Sequence, residues 1–208
     1  MKYFDYGDKE KVFLAEQDPE LGLAIARIGQ INRPVISDLF TAIISNIVGQ
    51  QISAKAAETV WQRISSAFAS VDGEILIPEN LMRAEPQELQ SLGLSWRKVS
   101  YIQRIAEAFC DGTIDAAALA AASDDDIREQ LIRLPGVGPW TVDMLMIFSL
   151  ERPDIISWHD LAIRRGLMRL KQLDDLTSAD YEKYRRMYSP YGTVASLYLW
   201  EISHEPTV

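Results

Sequence analysis

The sequence predicts an all-α fold, and three features of its patterning carry that expectation. Across 208 residues no stretch alternates apolar and polar side chains with the two-residue period of a strand. Apolar residues recur at spacings of three and four instead, as on one face of a helix. Serine, aspartate or proline stands ahead of most of these stretches, where a helix start needs a cap or a preset φ. The length suits one domain, or two small lobes sharing a core.

In chain order, Asp18-Pro19 reads as an N-cap followed by proline at the first helical position, and Gly29 closes that helix. Ser37-Asp38 opens the apolar stretch Leu39 to Val48. From Ser53 to Phe68, Ala56, Ala57, Val60, Ile64 and Phe68 line one face. Ser95 caps a helix that runs to Cys110 with Val99, Ile102, Ile105, Ala106 and Phe109 inward. Ser123 caps the next, and Asp124, Asp125 and Asp126 fall where the helix dipole favours negative charge. Further helices fit Pro139–Leu150, Asp160–Leu170, Ser178–Tyr188 and Thr193–Ile202. Boundaries are expected near Ile31–Pro34 and Glu151–Asp154.

Composition narrows the function classes. Hydrophobic residues make up 48% and charged residues 25%, ordinary for a globular chain. No apolar run reaches the ~18 residues of a membrane span, and the start of the chain lacks a signal peptide's apolar segment, so a cytoplasmic location is the default. The single cysteine, Cys110, excludes an internal disulfide and a four-cysteine cluster. With only His159 and His204 besides, a protein-only zinc site is not expected. A net charge of −9 argues against nucleic-acid binding unless the cations are clustered. Between Arg164 and Arg186 seven basic residues stand against four acidic ones, which permits a basic face, although on charge alone an ordinary solvated helix face is the favoured reading.

The segment Leu134-Pro-Gly-Val-Gly-Pro-Trp-Thr141 lies between two helical stretches and is the most informative in the chain. Gly136 and Gly138 permit backbone angles and close approach denied to other residues. Pro139 presets the first turn of the following helix, whose exposed amides can hold a phosphate oxygen without any side-chain charge. A tight helix–turn–helix corner would use the same glycines for packing.

That segment resembles the hairpin of the helix-hairpin-helix base-excision DNA glycosylases, the superfamily of endonuclease III, the adenine and 8-oxoguanine glycosylases and DNA-3-methyladenine glycosylase II. A catalytic aspartate follows the hairpin by one helix and a loop in that superfamily. Here Ser157-Trp-His-Asp-Leu-Ala-Ile-Arg-Arg-Gly166 occupies the matching place, with Asp160 twenty residues beyond Trp140. Read without the resemblance, Asp160 is a helix cap; with it, it is also the carboxylate that stabilises cationic sugar as the bond to the base breaks. Trp140 stands where bifunctional members carry a Schiff-base lysine, and an indole cannot be that nucleophile. The resemblance therefore implies a monofunctional enzyme of the 3-methyladenine branch, without AP-lyase activity, hydrolysing the N-glycosidic bond of alkylated purines.

Other segments carry the same likeness. Ile47-Val-Gly-Gln-Gln-Ile-Ser-Ala-Lys-Ala-Ala57 resembles the motif that enters the duplex, with Gln51 where some relatives place an apolar wedge. Gly93-Leu-Ser-Trp-Arg-Lys98 followed by Tyr101-Ile102 is similar to a further family segment, and Tyr188 to Trp200 resembles the closing helix. A family arginine is replaced by Gly192, and His159 stands where relatives often have a second carboxylate. The implied base pocket is Trp140, Trp200, Trp158 and His159, with Trp96 a weaker candidate, selecting a cationic purine by stacking and cation–π attraction. The implied DNA contacts are Gly136, Val137, Gly138, Thr141, Gln50, Gln51, Lys98 and Arg164. Two helical lobes are implied, 37–155 with the helix-hairpin-helix at about 124–150, and 1–36 with 156–208, the active-site cleft lying between them. No cofactor or protein-ligated metal is expected, although a monovalent or divalent cation at the hairpin–phosphate contact fits the likeness. The expected partner is double-stranded DNA with damaged bases, and the expected state a monomer with no membrane association. A glycosylase for deaminated or oxidised purines, a non-catalytic DNA-binding hairpin protein and a helical interaction scaffold are the alternatives.

Overall fold

A computed structural model describes residues 2–70 and 75–205. Among the described residues there are thirteen helices and one two-stranded ribbon, so the chain is all-α as its periodicity predicts. It forms two compact units, residues 1–35 with 146–208, and residues 36–145. None of the described helices is long and apolar enough to cross a membrane.

The first unit opens with β1 (Lys2–Tyr3), α1 (Asp8–Gln17) and α2 (Pro19–Ile28), and β2 (Pro34–Val35) pairs antiparallel with β1. Two-residue strands are too short to show a period, so the ribbon has no signature in the sequence. Asp18 caps α2 through the amides of Glu20 and Leu21, and Gly29 ends it at φ 77°.

The second unit contains α3 (Leu39–Gly49), α4 (Ala54–Phe68), α5 (Pro78–Arg83), α6 (Pro86–Ser91), α7 (Trp96–Cys110), α8 (Ala116–Ala121), α9 (Asp124–Leu131) and most of α10 (Pro139–Phe148). The caps on Asp38, Ser53, Ser95 and Ser123 each accept a backbone amide of the first turn. Helix α3 is buried nearly all round and forms the centre of this unit, with Ile43, Ile44 and Ile47 inaccessible. Ile102 and Ile105 of α7 are equally buried, and Phe109 packs edge-on against Phe40 at 5.1 Å. Each such side chain contributes about 1.5–3 kcal/mol.

The chain returns to the first unit within α10, after Leu145, rather than in the loop near residue 155. There follow α11 (Leu161–Leu170), α12 (Ser178–Tyr188) and α13 (Gly192–His204). Helix α13 is the core of the first unit, with Ala195, Leu197, Tyr198 and Leu199 fully buried. A Cβ on Gly166 would stand 2.0 Å from the carbonyl oxygen of Leu199, so α11 and α13 approach at backbone distance. That contact fixes the start of α11, and with it Asp160.

Candidate active site and nucleic-acid interface

The hairpin lies wholly in the second unit. Leu134 and Val137 bury their side chains, and the Val137 amide donates to the Leu134 carbonyl at 3.2 Å, closing the turn. The two glycines have different reasons. Gly136 sits at φ 79°, and a Cβ there would meet Tyr101 at 2.5 Å and Ile47 at 3.0 Å. Around Gly138 no atom lies within 4 Å of where a Cβ would stand, so the backbone faces open space. Pro139 then starts α10, presenting first-turn amides and the positive end of the helix dipole. Thr141 and Val137 were expected among the DNA contacts, but both are buried, at 5% and 6% exposure. Their side chains belong to the core, and only their backbone remains to offer a ligand.

Beside the hairpin, the turn from α3 into α4 holds Gln50 and Gln51. The Gln50 side-chain amide donates to the Gly136 carbonyl at 2.9 Å, so it braces the hairpin. Gln51 is exposed at φ 57°. Lys98 is turned inward, its ammonium on the carbonyls of Val48 and Gln50 at 2.8 and 2.7 Å. Burial, and then the neighbouring charge of Arg97, hold its pKa below the usual lysine value. Trp140 is 43% exposed and borders an open cavity of about 490 Å³ with Ser45, Asn46, Gly49, Gln50 and Gln51. Trp96 is exposed at the start of α7.

In the first unit, Asp160 caps α11. Its Oδ1 accepts the amides of Ala162 at 2.8 Å and Ile163 at 2.9 Å, and the indole N–H of Trp200 at 3.2 Å. Asp160 is 7% exposed, and three donors on one oxygen fix the orientation of its carboxylate. Trp200 is itself only 8% exposed, stacked on Phe148 with ring centroids 5.5 Å apart. Expected as a wall of the base pocket, it lies buried on α13, this unit's core helix, and donates to Asp160. Trp158 is half-buried, with the Arg164 guanidinium over its ring at 4.2 Å and Tyr181 edge-on at 5.0 Å. Arg164, expected on DNA, thus stacks on an indole, and its buried Nε has no hydrogen-bond partner. His159 is exposed next to the carboxylate in sequence.

Four residues to which sequence reasoning gave no site role shape these sites. Tyr101 packs into the space that Gly136 leaves, Phe148 carries Trp200, Tyr181 flanks Trp158, and Asp154 receives Gly192. The Gly192 amide donates to Asp154 Oδ1 at 3.0 Å, and Ser189 Oγ donates to its Oδ2 at 2.6 Å. A Cβ at position 192 would stand 2.7 Å from that carboxylate, so the absence of an arginine there has a local steric reason. Only the Gly192 departure was visible beforehand; the three aromatics look like ordinary core.

A glycine hairpin feeding a helix start, followed one helix later by a carboxylate held on a second helix start, defines a class of base-excision repair protein. Residues 44–189 match the HhH-GPD superfamily of base excision DNA repair proteins, and the chain belongs to that family. Its relatives narrow the class to the 3-methyladenine glycosylase type. DNA-3-methyladenine glycosylase 1 of Schizosaccharomyces pombe is 33% identical over 166 residues, covering 79% of this chain and 72% of that protein. The crystal structure of a DNA-3-methyladenine glycosidase from Bacillus halodurans superposes with a TM-score of 0.86 at 33% identity, covering 98% of this chain and 93% of the other. The S. pombe 3-methyladenine DNA glycosylase in complex with abasic DNA matches with a TM-score of 0.78 at 30% identity, over 93% and 95% of the two chains.

Proposed function

We propose that this chain is a monofunctional DNA glycosylase that hydrolyses the N-glycosidic bond of alkylated purines, 3-methyladenine among them, in double-stranded DNA. The observation that carries the proposal is Asp160, oriented by two backbone amides and the Trp200 indole at the place where the family keeps its catalytic carboxylate. Extrusion of the nucleotide costs roughly a few kcal/mol, least for a damaged base. As the glycosidic bond lengthens, positive charge grows on the deoxyribose, and a carboxylate fixed beside it lowers the barrier electrostatically. The same group can orient or accept a proton from the attacking water. An alkylated purine is already cationic, so an exposed indole selects it by cation–π attraction of about 0.5–2 kcal/mol. Trp140 offers that exposure.

Trp140 in place of a lysine supports simple hydrolysis that leaves the backbone intact. The abasic DNA bound by the S. pombe relative agrees with a base-releasing reaction. Phosphate capture rests on the start of α10 and the open backbone at Gly138. Among the described residues no cluster of carboxylate, thiol and imidazole groups could hold a metal ion, so a cation at the hairpin would rest on backbone carbonyls. We place the protein in the cytoplasm as a monomer.

The test is release of free base from alkylated duplex DNA. Purified protein is expected to liberate 3-methyladenine and to leave strands that break only after alkali. Strand cleavage with a borohydride-trapped adduct would overturn the monofunctional assignment. Absence of any released base from alkylated, deaminated and oxidised duplexes would overturn the enzyme.

A further inference from the structure

One lysine and one glutamine join the α3–α4 turn to the hairpin. Helix α3 ends at Gly49, and its last carbonyls have no partner further along the helix. Lys98 stands in the first turn of α7, behind the Ser95 cap, and its ammonium bridges the carbonyls of Val48 and Gln50. The next residue, Gln51, takes a left-handed conformation at φ 57°, which a residue with a Cβ adopts only against steric resistance. Its side chain is exposed, with the Arg97 guanidinium 3.4 Å from its Oε1. Gln50 in turn donates to the Gly136 carbonyl, and Tyr101, one turn along from Lys98, fills the space beside Gly136.

We infer that Lys98 is a positioning residue and not a phosphate ligand: it holds the Gln51 turn in its left-handed form and, through Gln50, sets that turn against the hairpin. Two of the ammonium's three donors are spent on carbonyls, and the amine is turned inward among them. Lysine serves here because its flexible four-carbon stem carries a compact charge onto two converging carbonyl dipoles. The inference rests on the glycosylase reading, since there the turn and the hairpin are the segments that meet DNA.

The test uses Lys98→Met, which keeps the aliphatic stem, together with Gln50→Ala and the double variant. Without DNA, amide exchange in Lys98→Met should quicken at residues 50–53 and 136–138 and stay unchanged in α11 and α13. With alkylated duplex, single-turnover excision should fall about tenfold, and the slope of log affinity against log salt should match wild type. The double variant should be no slower than the worse single one, because both cut the same linkage. A slope shallower by about one would make Lys98 a phosphate ligand and overturn the inference. So would unchanged local exchange, or a lowered melting temperature with an unaltered rate per folded molecule. If wild type itself releases no base, the proposed function falls, while the exchange measurement still decides whether Lys98 braces the turn.

Discussion

At the scale of single residues, Asp160 has a structural task and a chemical one, and substitution separates them. Asparagine caps helices about as well as aspartate, so Asp160→Asn should keep the melting temperature within a few degrees. Excision should nevertheless fall by about 10²–10⁴-fold, the usual contribution of a positioned acid–base group. Comparable losses of stability and activity would make the residue a cap and nothing more. Trp200→Phe probes the donor instead, since phenylalanine keeps an aromatic ring against Phe148 but loses the N–H that meets Asp160. A hydrogen bond to a charged acceptor contributes about 1.5–3 kcal/mol, so single-turnover excision should slow by roughly ten- to a hundredfold. An unchanged rate would show that the two backbone amides orient the carboxylate alone. Aspartate before Leu-Ala-Ile announces a cap by itself. The burial of Trp200 was not legible, because exposure depends on which helix becomes the core and no local pattern specifies that.

Among the elements, the hairpin tests what local sequence can specify. Gly136→Ala adds a Cβ to a positive-φ turn and drives it to 2.5 Å from Tyr101. Affinity for duplex DNA should drop at least tenfold, while far-ultraviolet circular dichroism stays that of a helical protein. Gly138→Ala, which adds a methyl group to open space, should fold as wild type, and its effect should appear only with DNA bound. If Gly136→Ala binds DNA normally, the φ of the turn is not what presents the α10 amides. Most of the longer helices were legible because a cap and a stripe mark them, with Asp18, Asp38, Ser53, Ser95, Ser123 and Asp160 all accepting first-turn amides. Helix α1, whose start at Gly7 has no side-chain cap and which buries only Leu14, was missed. The six-residue helices α5, α6 and α8 were not legible either, since two turns are too short to show a period. The side-chain tasks of Lys98 and Arg164 were also hidden. A cation near a presumed DNA surface looks alike in sequence whether it faces a phosphate, a carbonyl or an indole.

Across the whole molecule, a buried charge cluster joins the two ends of the chain within one unit. Asp18, 1% exposed, accepts from Lys171 Nζ at 2.6 Å and from the Tyr188 hydroxyl at 2.5 Å while capping α2. Lys171 also reaches Glu20 at 2.9 Å. Burial pushes the Asp18 carboxyl up, but the bonds from Lys171, Tyr188 and the Leu21 amide outweigh it and leave the pKa below the ordinary value. Burial pulls Lys171 down, and its bonds to Asp18 and Glu20 more than offset that, so it stays protonated until strongly alkaline pH. Burial first, then the hydrogen bond to Asp18 and its charge, raises the Tyr188 phenol well beyond its usual range, so it remains a donor. Of these three buried groups, Asp18 is therefore the one that changes charge on the acid side. A carboxyl whose folded pKa is depressed stabilises fully above its unfolded value, near 4, and loses that stabilisation as pH falls through the folded value. Removing one partner of a buried pair costs about 3–5 kcal/mol, and Glu20, still within reach of Lys171, sets Asp18→Asn at the low end. Denaturant unfolding should show that deficit constant from about pH 5 upward and shrinking below about pH 4. A deficit that persists unchanged to about pH 2 would assign the stabilisation to the cap and the packing, which asparagine alters alike at every pH, and not to the charge of Asp18.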